Sequence, residues 1–244
     1  MTLPPPFAAI EAIPFAFPGI ASVGCVFGCA PAGSMVSEHP SGPAGEAASR
    51  RRRFLGNFAL SRWVELKQVH LDDLLVNPAP TSPDLMSDRE GDGTCTREKE
   101  LALVVKSADC QPIMMTNRQG TAVAALHVGW RGNVLNFPAS GLKNFCSAFG
   151  LRPEDVLAVR GPSLGAGEFI NFHKEWPPEF TPWYNEGSRT MNLWALTRHQ
   201  LEQAGMPPEN IFSLDLCTYS LPDMFFSYRR GDPGRQVSLV WLKS

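Results

Sequence analysis

Cys-x-x-Cys pairs, a surplus of basic charge and long apolar runs are all missing from this 244-residue sequence. Each absence removes a class of protein. Six cysteines stand at Cys25, Cys29, Cys95, Cys110, Cys146 and Cys217, and their spacing suggests no disulfide scaffold, which a chain this long does not need. Lys plus Arg number 22 against 24 Asp plus Glu, a net charge of −2. With no strong basic field, nucleic acid is not the expected main partner. No apolar run reaches the roughly 18 residues of a membrane span, so no membrane partner is expected. Met1-Thr2-Leu3-Pro4-Pro5-Pro6 carries neither a basic n-region nor a clean apolar h-region. These readings predict a reduced, cytoplasmic protein.

What is present points to a folded, loop-rich chain. Hydrophobic residues make up 43% and charged residues 19%, which excludes disorder across the chain. The 21 glycines and 22 prolines exceed the roughly 12% of average usage and exclude a helical bundle or coiled coil. Residues 1–19 are predicted to form an extended N-terminal arm and 30–45 a loop. Strands are predicted at Ser22–Phe27, Trp63–His70, Leu101–Val105, Val156–Val159 and Ile211–Leu216. Pro112–Thr116 and Thr121–Leu126 read as a hairpin about the turn Asn117-Arg118-Gln119-Gly120, and Met224–Tyr228 with Gln236–Trp241 as a closing hairpin. Helices are predicted at Glu46–Phe58, Pro138–Phe149 and Asn192–Ala204, the last capped by Asn192. Residues 77–100 read as loop. The run Arg50-Arg51-Arg52-Arg53 reads as a solvated helix face. With no repeat and no linker between two cores, the prediction is a single α+β domain spanning 1–244.

Three residues stand where polar side chains leave the core: His70 and His127 at strand ends, and Cys110 just past the buried run Leu101–Val105. Two imidazoles and a thiolate suit a zinc ion with three protein ligands and an open fourth position. The same residue types also fit a Cys–His dyad with Cys110 as nucleophile. They equally fit a buried apolar cysteine beside two histidines bonded to backbone. Spacing does not choose among the three.

The surrounding motifs are more specific. Gln68-Val69-His70, Ala108-Asp109-Cys110-Gln111-Pro112, His127-Val128-Gly129-Trp130-Arg131-Gly132 and Phe225-Phe226-Ser227-Tyr228-Arg229-Arg230 with Gly234-Arg235 occur in that order. Asp92, Thr96, Gly161-Pro162 and Cys217-Thr218-Tyr219 fit the same pattern. From about Ser22 to the C-terminus the chain resembles the YfiH-like family. Its members carry the names laccase-like polyphenol oxidase, purine nucleoside phosphorylase and peptidoglycan-editing factor. Leu71 stands where that family usually has Gly, Val128 replaces Ala, Ser163 follows Gly-Pro where many members have Cys, and the loop 28–45 lacks a Gly-Asp-Asp segment.

The resemblance implies one domain with mixed β-sheets packed between helices. It implies a metal, most often zinc, on His70, Cys110 and His127, with nucleoside and phosphate as small-molecule partners. The implied reactions are phosphorolysis of adenosine, inosine, guanosine or methylthioadenosine and deamination of adenosine. Asp109 or Asp92 would then carry a proton, Arg131 ahead of Arg229 and Arg230 would face phosphate, and Trp130 would stack on a purine. Copper and a polyphenol oxidase rank lower, because a multicopper centre needs more histidines than the five in this chain. A cysteine hydrolase or amidase acting on cell-wall precursors is the other alternative. A metal-dependent interaction module ranks last, since no fourth Cys or His stands nearby. Preferred nucleoside and oligomeric state are not fixed by any of these features.

Overall fold

Alternation within the buried strands decides the layers. A computed structural model describes residues 10–36 and 44–244. In chain order come β1 (Ala12–Pro14), β2 (Val23–Gly28), α1 (Ala44–Gly56), β3 (Arg62–Val64), β4 (Leu74–Val76), β5 (Gly93–Thr96), β6 (Leu101–Ser107), β7 (Gln111–Asn117) and β8 (Val123–Val128). They are followed by α2 (Trp130–Val134), α3 (Phe137–Phe149), β9 (Val156–Arg160), β10 (Gly167–Glu168), α4 (Phe172–Glu175), β11 (Tyr184–Asn185), β12 (Thr190–Met191), α5 (Leu193–Gln203), β13 (Ile211–Ser213) and β14 (Gln236–Leu242).

Two mixed sheets result, in the orders β1-β2-β14-β6-β3 and β13-β9-β7-β8-β5-β4. Side chains a residue apart point to opposite faces, so an apolar run needs cover on both sides. In β6, Leu101, Leu103 and Val105 meet Met114, Val123, Ala125 and Val159 between the sheets. Ala102 and Val104 turn the other way, against Phe54 and Leu55 of α1. On the far side, Leu126 and Ile113 pack under Phe137, Leu142 and Phe145 of α3 and Leu201 of α5. The architecture is therefore helix, sheet, sheet, helix, as the resemblance implies. A small sheet, β10-β12-β11, carries an aromatic cluster of Phe169, Phe172, Trp176 and Phe180 at one end. No helix among the described residues is long and apolar enough to cross a membrane.

Local signals placed several elements well. Gly150 closes α3 with a left-handed φ of 63°, and Asn192 caps α5 by accepting from the Ala195 amide at 3.0 Å. Of the predicted arm, residues 1–9 lie outside the described residues. Ala12–Pro14 forms an edge strand on β2, where proline costs no ladder bond.

Four expectations are corrected. The strand predicted over Trp63–His70 stops at Val64, because the chain turns to deliver the amides of Val69, His70 and Leu71 to Asp92. The loop predicted over 77–100 contains β5, a fully buried strand whose Gly-Thr-Cys-Thr composition hid it. Met224–Tyr228 is not a strand. The amides of Met224 and Phe225 donate to the Leu221 carbonyl, that of Phe226 to the Gln236 side chain and that of Ser227 to Asp232, and β14 instead pairs with β2 and β6. Finally, Arg51 is not on a solvated face. It is 2% exposed and ion-paired with Glu65.

A buried polar network joins the helices to the second sheet. Gln111 donates to Asn133 and Thr197, and Asn133 donates to Thr197 and Gln200 at 2.8 Å. It anchors α2, which opens with Trp130 and Arg131. Asn133→Ala is expected to break three buried side-chain hydrogen bonds, leave Gln200 Oε1 unpaired and lower unfolding free energy by about 2–3 kcal/mol. Urea denaturation followed by circular dichroism measures this, and a loss under about 0.5 kcal/mol would deny the network that role.

Candidate functional site

The β7–β8 hairpin pairs Pro112 with His127 and Gln111 with Val128. That register puts Cys110, immediately before β7, beside the end of β8. His127 shares the parity of Val123 and Ala125 and so faces between the sheets. His70 arrives from the turn after β3 with a left-handed φ of 64°. The ligand atoms of His70, Cys110 and His127 lie within 4.8 Å of one another, and the two imidazoles meet edge to face at 4.8 Å. A Cβ at position 129 would stand 3.0 Å from His70 Cδ2 and 3.1 Å from Cys110 Sγ, so glycine there lets the backbone lie against two of the three side chains without pushing them aside.

Asp92 organises the trio. Its carboxylate accepts the amides of Val69, His70 and Leu71 at 3.1, 3.0 and 2.8 Å, and His127 Nδ1 donates to it at 2.7 Å. Nδ1 thus carries the proton and Nε2 is free for a metal or for the thiol. Burial raises the Asp92 pKa, but the His127 bond and charge and the amides of Leu71 and His70 outweigh it and hold the carboxyl ionised below its ordinary range. Burial likewise opposes the Cys110 thiolate. The charge and hydrogen bond of His127, then those of His70, bring its pKa down to about 6. Burial disfavours a charged His127 too, yet Cys110 and Asp92 push it up to about 9.

The donor set fits a metal. Two imidazoles and a thiolate offer three ligands, His127 is backed by a carboxylate, and no fourth Cys, His, Asp or Glu joins the group among the described residues.

A cavity of about 780 Å³ opens over the trio, at the upper end of what small-molecule sites need. Trp130, Arg131, Phe169, Tyr228 and Arg229 line it. The Arg131 guanidinium lies 4.5 Å over the Trp130 ring, and that of Arg229 4.5 Å over Phe169. Arg230 is instead spent on the carbonyls of Thr218, Tyr219 and Phe225. The proton-carrying role expected of Asp109 meets a carboxylate already engaged: it accepts from the Thr218 hydroxyl, the Ser227 hydroxyl and the Arg229 amide at 2.7, 3.0 and 2.8 Å. Asp92 is engaged in the same way. His39 lies outside the described residues. His199 packs against Trp183 at a ring separation of 5.0 Å and is not part of the trio. Phe169 and Lys106 were not singled out by the sequence, because neither sits in a motif, and only the fold brings them to the cavity.

A two-sheet, two-helix-layer sandwich with an open His–Cys–His centre is the class that this fold and site define. The family model described as multi-copper polyphenol oxidoreductase laccase matches residues 36–243. Proteins of Shigella flexneri and Escherichia coli named purine nucleoside phosphorylase YfiH are each 32% identical over 203 residues, covering 80% of this chain and 79% of theirs. The crystal structure of YlmD from Geobacillus stearothermophilus shares the fold, with a TM-score of 0.78 over 97% of both chains at 22% identity. The chain belongs to the YfiH family.

The two shifted groups define a pH window. The Cys110 thiolate stabilises the folded metal-free chain until pH falls through about 6, and the His127 imidazolium until pH rises through about 9. Both shifts describe one ion pair and are not added. In metal-free protein the ultraviolet absorbance of the Cys110 thiolate should titrate with a midpoint near 6. His127→Gln should move that midpoint up toward the ordinary thiol range. A parent midpoint already in that range would contradict the pairing.

Proposed function

We propose that this chain is a zinc-dependent purine nucleoside-processing enzyme that performs phosphorolysis, with adenosine deamination as a second activity of the same centre. The observation that carries the reading is the convergence of His70, Cys110 and His127 on one cavity large enough for a nucleoside and phosphate. The names of the Shigella and Escherichia relatives point the same way. Bound zinc would supply a Lewis acid with an open coordination position.

The remaining work falls to side chains. Asp92 holds the His127 tautomer and, through three amides, the place of His70. Trp130 and Phe169 offer flat faces to a purine. Arg131 offers a guanidinium to phosphate where it attacks the anomeric carbon, and Arg229 stands second. In this reading Asp109 ties the Ser227–Arg229 segment behind Cys110 and carries no proton.

A cysteine hydrolase is the second reading, and one observation favours it: Cys110, His127 and Asp92 form a continuous chain with a lowered thiol pKa. Copper in a polyphenol oxidase fits less well, with only two of five histidines at the centre.

Elemental analysis with a nucleoside panel, run with and without phosphate, separates these. The expected result is about one zinc per chain, with base release dependent on phosphate. Cys110→Ser should lose zinc and activity together, since a neutral hydroxyl is a poor zinc ligand. If the Ser variant keeps its zinc and Cys110 alkylates equally fast with and without chelator, the hydrolase reading replaces this one. Arg131→Ala should cut phosphorolysis roughly tenfold or more while leaving deamination within about threefold. Equal loss of both at unchanged stability would remove Arg131 from phosphate binding.

A further inference from the structure

Gln68 borders the cavity and has no part in the chemistry assigned to it so far. It stands in the turn that brings His70 to the centre, after β3 has ended at Val64. β3 pairs with β6 only from Arg62 and Leu101 to Val64 and Leu103, so β6 runs on past its partner on that edge, while β14 covers the other. At Lys106 a side chain takes the place of the missing strand. Gln68 Nε2 donates to the Lys106 carbonyl at 2.7 Å, and Gln68 Oε1 accepts the Lys106 N–H at 2.8 Å. A primary amide offers a donor and an acceptor side by side, so both backbone groups are satisfied by one side chain.

The other bonds of this turn lead elsewhere. The Lys67 N–H donates to the Arg89 carbonyl at 2.8 Å, and the Lys67 carbonyl accepts from Gly91 at 3.3 Å. The amides of Val69, His70 and Leu71 converge on Asp92. These anchors all lie on residues 89–92, which lead into β5. Three amides on one carboxylate fix a point about which the turn can still swing. Gln68 adds a second fixed point on a different strand, and that strand is the one whose chain reaches Cys110 four residues after Lys106. The left-handed φ of 64° at His70 is a backbone state that a non-glycine residue keeps only where its surroundings hold it.

We propose that Gln68 is a positioning residue for the metal centre: by pairing with the backbone of Lys106, it holds His70 at ligating distance from Cys110. Each side of the ligand triangle then has its own support. Asp92 spaces His70 from His127, the β7–β8 register spaces Cys110 from His127, and Gln68 spaces His70 from Cys110. The role requires no contact between Gln68 and metal or substrate. It rests on the reading of the trio as a metal site, but its test needs no turnover.

Cobalt(II) titration of the chelator-treated chain, followed by visible and near-ultraviolet absorption, compares the parent with Gln68→Met, Gln68→Glu and Asn210→Ala. Met matches the length of Gln and loses both bonds. Glu keeps the acceptor but sets a charge against the Lys106 carbonyl. Asn210 also bonds through its amide to two partners, Arg118 and the Glu154 carbonyl, yet borders neither the cavity nor the trio, so its loss reports stability alone. The parent should show a thiolate-to-cobalt charge-transfer band and the intense d–d bands of a tetrahedral ion. Gln68→Met should weaken cobalt binding roughly tenfold or more. At saturation its d–d bands should fall as water replaces a loosened His70, while the thiolate band persists because the β7–β8 register still holds Cys110. Gln68→Glu should act in the same direction, and it decides if Gln68→Met does not fold. Asn210→Ala should leave cobalt affinity within about twofold whatever its Tm. Parent-like affinity and spectra in the Gln68 variants, loss of the thiolate band along with the d–d bands, or an equal loss in Asn210→Ala overturns the role. A parent that takes up no cobalt overturns both this role and the proposed function. The expected cobalt behaviour with no nucleoside turnover overturns the proposed function alone.

Discussion

The site depends on one buried carboxylate. Asp92 takes three consecutive amides from the turn at His70 and one proton from the His127 ring. Its own carbonyl accepts the His127 amide at 2.7 Å. A charged group so deeply buried is tolerated only when its lone pairs are filled, and here every donor comes from one of the two histidine-bearing segments. The same bonds that satisfy the charge therefore fix the distance between the imidazoles. They also choose the His127 tautomer that leaves the nitrogen facing Cys110 free.

A second aspartate does comparable work on the other side of the thiol. Asp109 adopts a positive φ of 90°, an uncommon backbone for a residue other than glycine. Its carboxylate repays that strain by binding Thr218, Ser227 and the Arg229 amide. Two segments of the cavity wall remote in sequence, the turn at His70 and Ser227–Arg229, are thus held by carboxylates rather than by sheet pairing. This explains why Phe225–Arg230 is folded as turns although its composition suits a strand.

Charge on the cavity wall has its own support in the outer layer. Glu65 stands between Arg51 on α1 and Lys106 on β6. Arg51 is buried because its guanidinium can reach three carbonyls and a carboxylate at once, which a lysine could not do. The loops that supply Val36, Met86 and Ser87 to the cavity are fastened at this point.

Contacts set by short-range geometry could be read from the sequence alone. The turn at Asn117–Gly120 fixes the β7–β8 register, and with it the meeting of Cys110 and His127. Apolar runs disclosed the buried strands, and Asn192 and Gly150 disclosed helix ends. The motifs around His70, Cys110 and His127 carried the family and, through it, the layering of sheets between helices. Periodicity could not place His70, whose turn exists only because Asp92 waits across the fold. Nor could it find β5, whose small polar residues are buried by β8 and α3, or tell Arg51 from its neighbours in a basic run. Those outcomes turn on which donors find partners once the layers close, and satisfaction of buried polar groups is decided by tertiary packing, not by local propensity.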